Sequence, residues 1–449
     1  MTEIMPVPRN LILLSYQQGA SGHMFLSSSD LKVQVEDVLG RYFEKMYNLL
    51  SNGENLDEIA NVLTIGQAYT RLPTSFDWDE IVYKCMETFR SNMYSGKIRN
   101  FSYSSGHTFY SHIVHFYSEN TGYYKKFLRQ YDESIYVHLG EYIEALLKKG
   151  KPVHSQDFDV ISGAAGIVEF LLEYPNDFSI TLAHKLSRYL VDLTVCGSFK
   201  AYPIPGWYVP SDDRLSKRDE RFLDGHINYG MAHGITGVLA SLVKLGEHGV
   251  NKPRVDEAIR VILNELDKVR YESQQGIVYY PGMMDVNDYV KKDYWKDDNH
   301  RMSWCYGSIS ILYTLYRTYE YLNMPMKCRE VLNEITQIAK SGNSIWQLTS
   351  PIICHGFAGT ALIFKLLYDK TQDGALKDAS LELIRNIVEA YNDTNQYGFK
   401  DVRYQFLGNS IEKIEEDKNT FLEGGCGIIS ALLCFLGEKE ITASLLLLK

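Results

Sequence analysis

Two soft-to-borderline metal ligands stand side by side at Cys354 and His355, in the run SPIICHGFAG. Pro351 before them and Gly356 and Gly359 after them mark a loop turning into a helix. Taken alone, the pair reads as a buried cysteine beside a partly buried histidine. Three more residues change that weighting. Cys305 in SWCYG, His233 in MAHGITG and Asp159 in DFDVISG each stand just before, or within a few residues of, a glycine in a similar setting. Two thiolates and one imidazole make a ligand set that suits Zn2+, and three protein ligands leave the fourth tetrahedral position open to water or substrate. One Zn2+ per chain, on Cys305, Cys354 and His355, is therefore expected. A closed structural site would need a fourth protein ligand, for which His300 or Cys328 is the candidate.

Residues so far apart meet only if the elements around them repeat. A Gly-x-x-Gly element opens an apolar run four times, at Gly163 and Gly166, Gly234 and Gly237, Gly356 and Gly359, and Gly424 and Gly427. A fifth copy keeps Gly307 but carries Ser310 at the second position, and weaker copies lie at Gly66 and Gly106. In the last unit Ile429, Leu432, Leu433 and Leu436 follow the i, i+3, i+4, i+7 spacing of one buried helix face. The seven first glycines are 40 to 73 residues apart, room for a second, amphipathic helix in each unit, as in RVDEAIRVILNELDKV. An open solenoid needs polar end caps, yet the last unit runs into ASLLLLK. The reading is one all-α domain over residues 1–449, an α/α toroid of about seven inner and seven outer helices, with the glycine loops gathered at one mouth. Residues 196–226 break the helical pattern with three prolines and alternating aromatics. They are expected to be an irregular or strand-containing insertion, and Tyr202, Trp207 and Tyr208 are its candidates for holding a peptide.

Composition restricts the function. A net charge of -10 in 449 residues argues against nucleic acid as the main partner. The longest apolar stretch, Cys426 to Gly437, is far shorter than the ~20 residues that span a bilayer. The first sixteen residues lack the pattern of a secretory signal, and the seven irregularly spaced cysteines fit reduced thiols in a cytoplasm. A zinc hydrolase is disfavoured because the helical His-Glu-x-x-His is absent. A zinc-dependent thiol prenyltransferase would need a diphosphate-binding cluster of Lys, Arg and Tyr, which does not accompany the motifs.

The combination Trp304-Cys305-Tyr306-Gly307, Cys354-His355-Gly356, Ala232-His233-Gly234 and Asp159 to Gly163, with Arg301 four residues before the first cysteine, resembles the LanC-type lanthipeptide (lantibiotic) synthetase component C family. The resemblance runs through nearly the whole chain. It implies closure of lanthionine rings: a cysteine thiol of a dehydrated precursor peptide, ionised by Zn2+, adds to dehydroalanine or dehydrobutyrine. Histidine changes charge near neutrality, so His233 would take the thiol proton or deliver one to the enolate, with Asp159 fixing its tautomer. Arg301 would stabilise the enolate oxygen and Tyr306 would hydrogen-bond within the site. The partners implied are a dehydratase and an ABC exporter, in a complex at the inner face of the cell membrane. A zinc-containing peptide- or glutathione-binding adaptor without catalysis is the alternative.

Overall fold

The computed structural model describes residues 25–26, 30–294, 301–407, 410–439 and 441–449, with the backbone alone described at 218, 405–407, 410 and 411. The amino-terminal segment read for a secretory signal and His300 both lie outside the described residues.

Amphipathic helices alternate along the chain with helices buried over most of their surface, and the two kinds go to different places. The amphipathic set is α1 (Asp30–Ser51), α3 (Trp78–Tyr94), α5 (Lys125–Lys149), α7 (Asp177–Asp192), α9 (Lys252–Val269), α11 (Pro325–Ser341) and α13 (Gly374–Glu389). In α9, Val255, Ala258, Ile259, Ile262, Leu266 and Val269 are buried, at the spacing of a single helix face, and the charged back stays in solvent. The apolar set is α2 (Ala60–Gln67), α4 (His107–Thr121), α6 (Ala164–Glu173), α8 (Ile235–Glu247), α10 (Ser308–Tyr321), α12 (Phe357–Thr371) and α14 (Gly425–Phe435). Every residue of α14 is buried, because the outer ring covers one side and neighbouring helices the rest. Consecutive inner helices pack side by side, α14 returns to pack on α2, and α1 touches both α13 and α3. The result is the expected α/α toroid, a closed double ring of seven and seven.

The two chain ends meet at a polar seam. The Gln67 amide donates to the carbonyls of Ser430 (3.1 Å) and Lys439 (3.0 Å), while its oxygen accepts from the Ser430 hydroxyl (2.6 Å). Six residues earlier on the same helix, Asn61 Oδ1 accepts from the Asn419 amide (2.9 Å) and from the Cys426 thiol (3.4 Å). Past the seam, residues 441–449 enter the ring itself. Thr442 bonds Ser430 of α14 (2.6 Å), Ser444 donates to Glu169 of α6 (3.0 Å), and the Leu448 carbonyl accepts from Tyr313 of α10 (2.6 Å). Leu445 to Leu448 are all buried.

At the mouth the repeat loops are stitched by backbone hydrogen bonds from one unit to the next. Tyr103 N–H donates to the Ile161 carbonyl, Val160 to Ala232, Ala232 to Cys305, Cys305 to Cys354, and Cys354 to Leu422, all between 2.9 and 3.2 Å. The loops are tight because glycine opens the inner helices: a Cβ on Gly163 or Gly234 would lie about 2.5 Å from backbone of its own loop. Gly66 departs from this pattern. It lies near the end of α2, where a Cβ would meet the Tyr117 ring at 2.9 Å, so its role there is close helix contact.

The non-helical part is larger than one insertion. Residues 196–226 carry the hairpin β1 (Gly197–Phe199) and β2 (Tyr202–Ile204) and two short 3-10 turns, as expected in kind. β3 (His226–Asn228) then pairs antiparallel with β6 (Met283–Asp285) from a second segment, which also holds the β4 (Tyr271–Glu272) and β5 (Val278–Tyr279) pair. A third piece, the hairpin β7 (Asp401–Leu407) and β8 (Ser410–Glu416), joins α13 to α14.

Candidate metal centre and catalytic site

Cys305, Cys354 and His355 leave the stitched loops just before α10 and α12, and their ligand atoms all lie within 4.8 Å of one another. That fits a metal: donors in a tetrahedron around zinc are roughly 3.5–4 Å apart. The electrostatics agree. The Cys305 thiol is held well below its ordinary range, first by the hydrogen bond with Cys354 and then by His355 and Arg301, and Cys354 is pushed up in return. Two thiols competing for one proton are the protonated form of a dithiolate ligand pair. Cys328, by contrast, is on the outer helix α11 with its thiol against the Tyr316 carbonyl (3.9 Å) and is not part of the group.

His355 is oriented from behind. Its Nε2 meets Asp401 Oδ1 at 3.0 Å, which leaves Nδ1 as the nitrogen for a metal. Burial works against the imidazolium, but the bonds to Asp401 and Cys305 outweigh it and raise the His355 pKa to about 9. Asp401 is itself fixed by the Ser350 hydroxyl (2.9 Å) and by an ion pair with Arg403 (3.0 Å). A carboxylate behind a ligating histidine is the usual way a protein sets the ring's tautomer and angle. Asp401 escapes a reading of the loops because it stands at the start of β7. The alternation in VRYQFLGNSIEKI, with Gly-Asn between the halves, does signal a hairpin. Nothing in the sequence joins that hairpin to His355.

Beside the ligands, His233 Nδ1 meets Asp159 Oδ2 at 2.6 Å. Asp159 is fully buried, and its other oxygen accepts from the backbone N–H groups of Ser162 (2.6 Å) and Gly163 (3.0 Å). With both oxygens accepting, Nδ1 must carry the imidazole proton, and Nε2 is the free nitrogen. His233 keeps 18% of its side chain exposed, so that nitrogen can be reached. Its ring lies 6.3 Å from the ring of Tyr306, the residue after Cys305. Tyr306 accepts from the Asn228 amide (2.9 Å), and burial raises its pKa, so it stays a phenol. Arg301 is close enough to act on both thiols, and its buried Nε has no hydrogen-bond partner among the described residues.

The peptide-holding candidates of the insertion separate. Tyr202 is 56% exposed. Tyr208 is half-buried and donates to the Asp224 carbonyl (2.6 Å). Trp207 is only 1% exposed, a core residue of the insertion, so the expectation that it contacts a peptide is corrected.

Comparison with known proteins gives this constellation a family. The sequence profile described as lanthionine synthetase C-like protein matches residues 60–447. The chain belongs to the lanthionine synthetase C-like family. Within it, the chain is 28% identical over 254 residues to the nisin biosynthesis protein NisC of Lactococcus lactis subsp. lactis, covering 54% of this chain and 57% of that one. It is 27% identical over 150 residues to the glutathione S-transferase LANCL1 of Danio rerio, 32% of this chain and 31% of that one. The chain thus spans about half or less of the length of these relatives. The solved structure of a nisin cyclase superposes over 91% of this chain and 97% of its own, with a TM-score of 0.73 at 19% identity, which establishes the shared toroid. Among the described residues, no helix of this lanthionine synthetase C-like protein is long and apolar enough to cross a membrane.

Proposed function

We propose that the protein is a lanthionine cyclase, closing thioether rings in a dehydrated precursor peptide. The observation that carries this reading is the meeting, at one mouth, of a three-ligand sulfur and nitrogen cluster with the Asp159–His233 pair. Cys305, Cys354 and His355 would hold Zn2+ and leave one position for the substrate. The metal, when bound, keeps a cysteine thiol of the peptide deprotonated at neutral pH.

Around that thiol the chain's own residues have distinct tasks. His233 Nε2 accepts the thiol proton, and Asp159 holds the ring in that tautomer and steadies the imidazolium. The sulfur adds to the β-carbon of dehydroalanine or dehydrobutyrine in the same peptide, and the electron pair of the double bond passes to the enolate oxygen. Arg301, with its uncommitted Nε, and the phenol of Tyr306 stabilise that oxygen. His233 then returns the proton to the α-carbon, so one C–S and one C–H bond form at the expense of an S–H and a π bond, with no change in mass. Tyr202, exposed on the insertion, would help to hold the peptide.

Glutathione is the second reading, favoured by the similarity to the glutathione S-transferase LANCL1 of Danio rerio. A site that ionises a thiol would serve either. Incubation of purified protein with a dehydrated peptide separates them: ring closure consumes free thiol at constant mass, whereas glutathione addition raises the mass. Cyclisation is expected to require Zn2+, to fail in Cys305→Ala and Cys354→Ala, and to slow by about 10²–10⁴ in His233→Ala with zinc retained. Loss of zinc in His233→Ala would make it a ligand and overturn its role. A dehydratase supplies the substrate by chemistry, so the cyclase would act beside one, and beside an exporter, in the cytoplasm.

A further inference from the structure

We infer that Asn228 is a positioning residue that aims the Tyr306 hydroxyl proton at the reacting peptide. The inference rests on the cyclase reading and assigns Asn228 a task within it.

The argument begins at a backbone group that can only donate. Gly230 N–H meets Asn228 Oδ1 at 3.0 Å, which fixes the oxygen end of the amide. The nitrogen end is therefore the one facing Tyr306, at 2.9 Å from the phenol oxygen. An amide nitrogen has no lone pair to offer, so the phenol must accept there, and its own proton has to point elsewhere. Among the described residues no acceptor takes that proton. Tyr306 shares the mouth with the thiols of Cys305 and Cys354 and with His233, at a ring separation of 6.3 Å. A donor left unspent beside the reacting centre is what a developing enolate oxygen requires.

The surroundings leave the ring little freedom to undo this arrangement. Asn228 is fully buried on β3. A Cβ on Gly230 would lie 2.5 Å from both Cδ1 and Cε1 of Tyr306, and one on Gly282 would lie 3.2 Å from Cδ1. The two glycines thus make room for the Cδ1 edge of the ring, and the Tyr229 N–H to Gly282 carbonyl bond (2.8 Å) holds the two segments together. Ring plane and hydroxyl direction are both imposed by the β3–β6 ribbon, outside the helical rings.

The test exchanges one atom. Asn228→Asp keeps an oxygen for Gly230 N–H but turns the group facing Tyr306 into an acceptor, which captures the phenol proton. We expect zinc content, helical signal and KM to stay close to those of the parent while kcat falls at least about tenfold. In a Tyr306→Phe background the same substitution should have no further effect on kcat. An unchanged kcat in Asn228→Asp, or a loss as large in the Phe background as in the parent, overturns the inference. Should Asn228→Asp not fold, Asn228→Ala enters the same cycle, with a smaller loss that also vanishes in the Phe background. The controls separate two failures: a silent Tyr306→Phe removes the phenol from the proposed chemistry altogether, whereas a slow Tyr306→Phe with a silent Asn228→Asp removes only the role of Asn228.

Discussion

His355 has a carboxylate on one nitrogen and a thiol pair on the other, so the metal's hold depends on a residue that never touches it. Asp401→Ala frees the ring to turn and leaves Ser350 and Arg403 without their acceptor. Zinc affinity should fall about 10–100-fold, measured by competition with a chelator. Asp401→Asn, which keeps the shape and one acceptor, should fall less. At this scale the sequence was readable where chemistry and punctuation coincide. Asp159, His233, Cys305, Cys354 and His355 betray themselves by standing in phase with repeat glycines. Asp401 and Asn228 have no such phase, because they come from strands, and their partners are 46 and 78 residues away in the chain.

The insertion changes meaning once its contacts are known. Asp213, inside it, accepts from the Ser155 backbone N–H (2.9 Å) and hydroxyl (3.0 Å), at the start of the one-turn helix Ser155–Phe158 that delivers Asp159. The segment therefore supports the loop that carries Asp159 as well as offering a surface. Tyr202→Ala should weaken peptide binding and leave kcat near that of the parent. Asp213→Ala should lower kcat with binding little changed, and steady-state kinetics on one peptide distinguish the two. At the end of the insertion His226 is buried on β3, with Nδ1 against Ser216 (2.8 Å), and burial lowers its pKa to about 4. An unfolded chain takes up that proton near pH 6.5, before the folded one does. Stability present above that pH is therefore lost as the pH falls towards 4, by on the order of 3 kcal/mol. Urea midpoints measured across this window should show a flatter profile for His226→Asn. The composition of 196–226 announces a break in the helices, but β4 to β6, at two or three residues each, carry too little alternation to stand out; the seven-residue β7 and β8 do alternate, and what the sequence hides there is their contact with His355.

For the molecule as a whole, closure of the ring was legible from its last unit, too apolar to be an end. The means of closure was not, because the α2–α14 contact is polar: Asn61 and Gln67 on one helix against Ser430, Asn419 and Cys426 on or next to the other. Buried polar contacts of this kind have one satisfying register, whereas apolar faces tolerate slippage. Asn61→Ala leaves the Asn419 amide and the Cys426 thiol short of a buried acceptor. It should destabilise the protein by about 1–3 kcal/mol, seen as a lower Tm, with zinc content unchanged.

Residues 441–449 reach α6, α10 and α14 from within, so they stand on the axis of the ring. Among the described residues, the ring is thus filled by its own tail, which makes the toroid a cup. On the cyclase reading, a precursor peptide would not be fed through it like thread through an eye. Whatever enters at the mouth must back out by the same opening, now carrying a rigid loop it did not have on entry. A peptide with several rings to close would then visit the cup once for each, and its half-finished forms would spend time in free solution between visits.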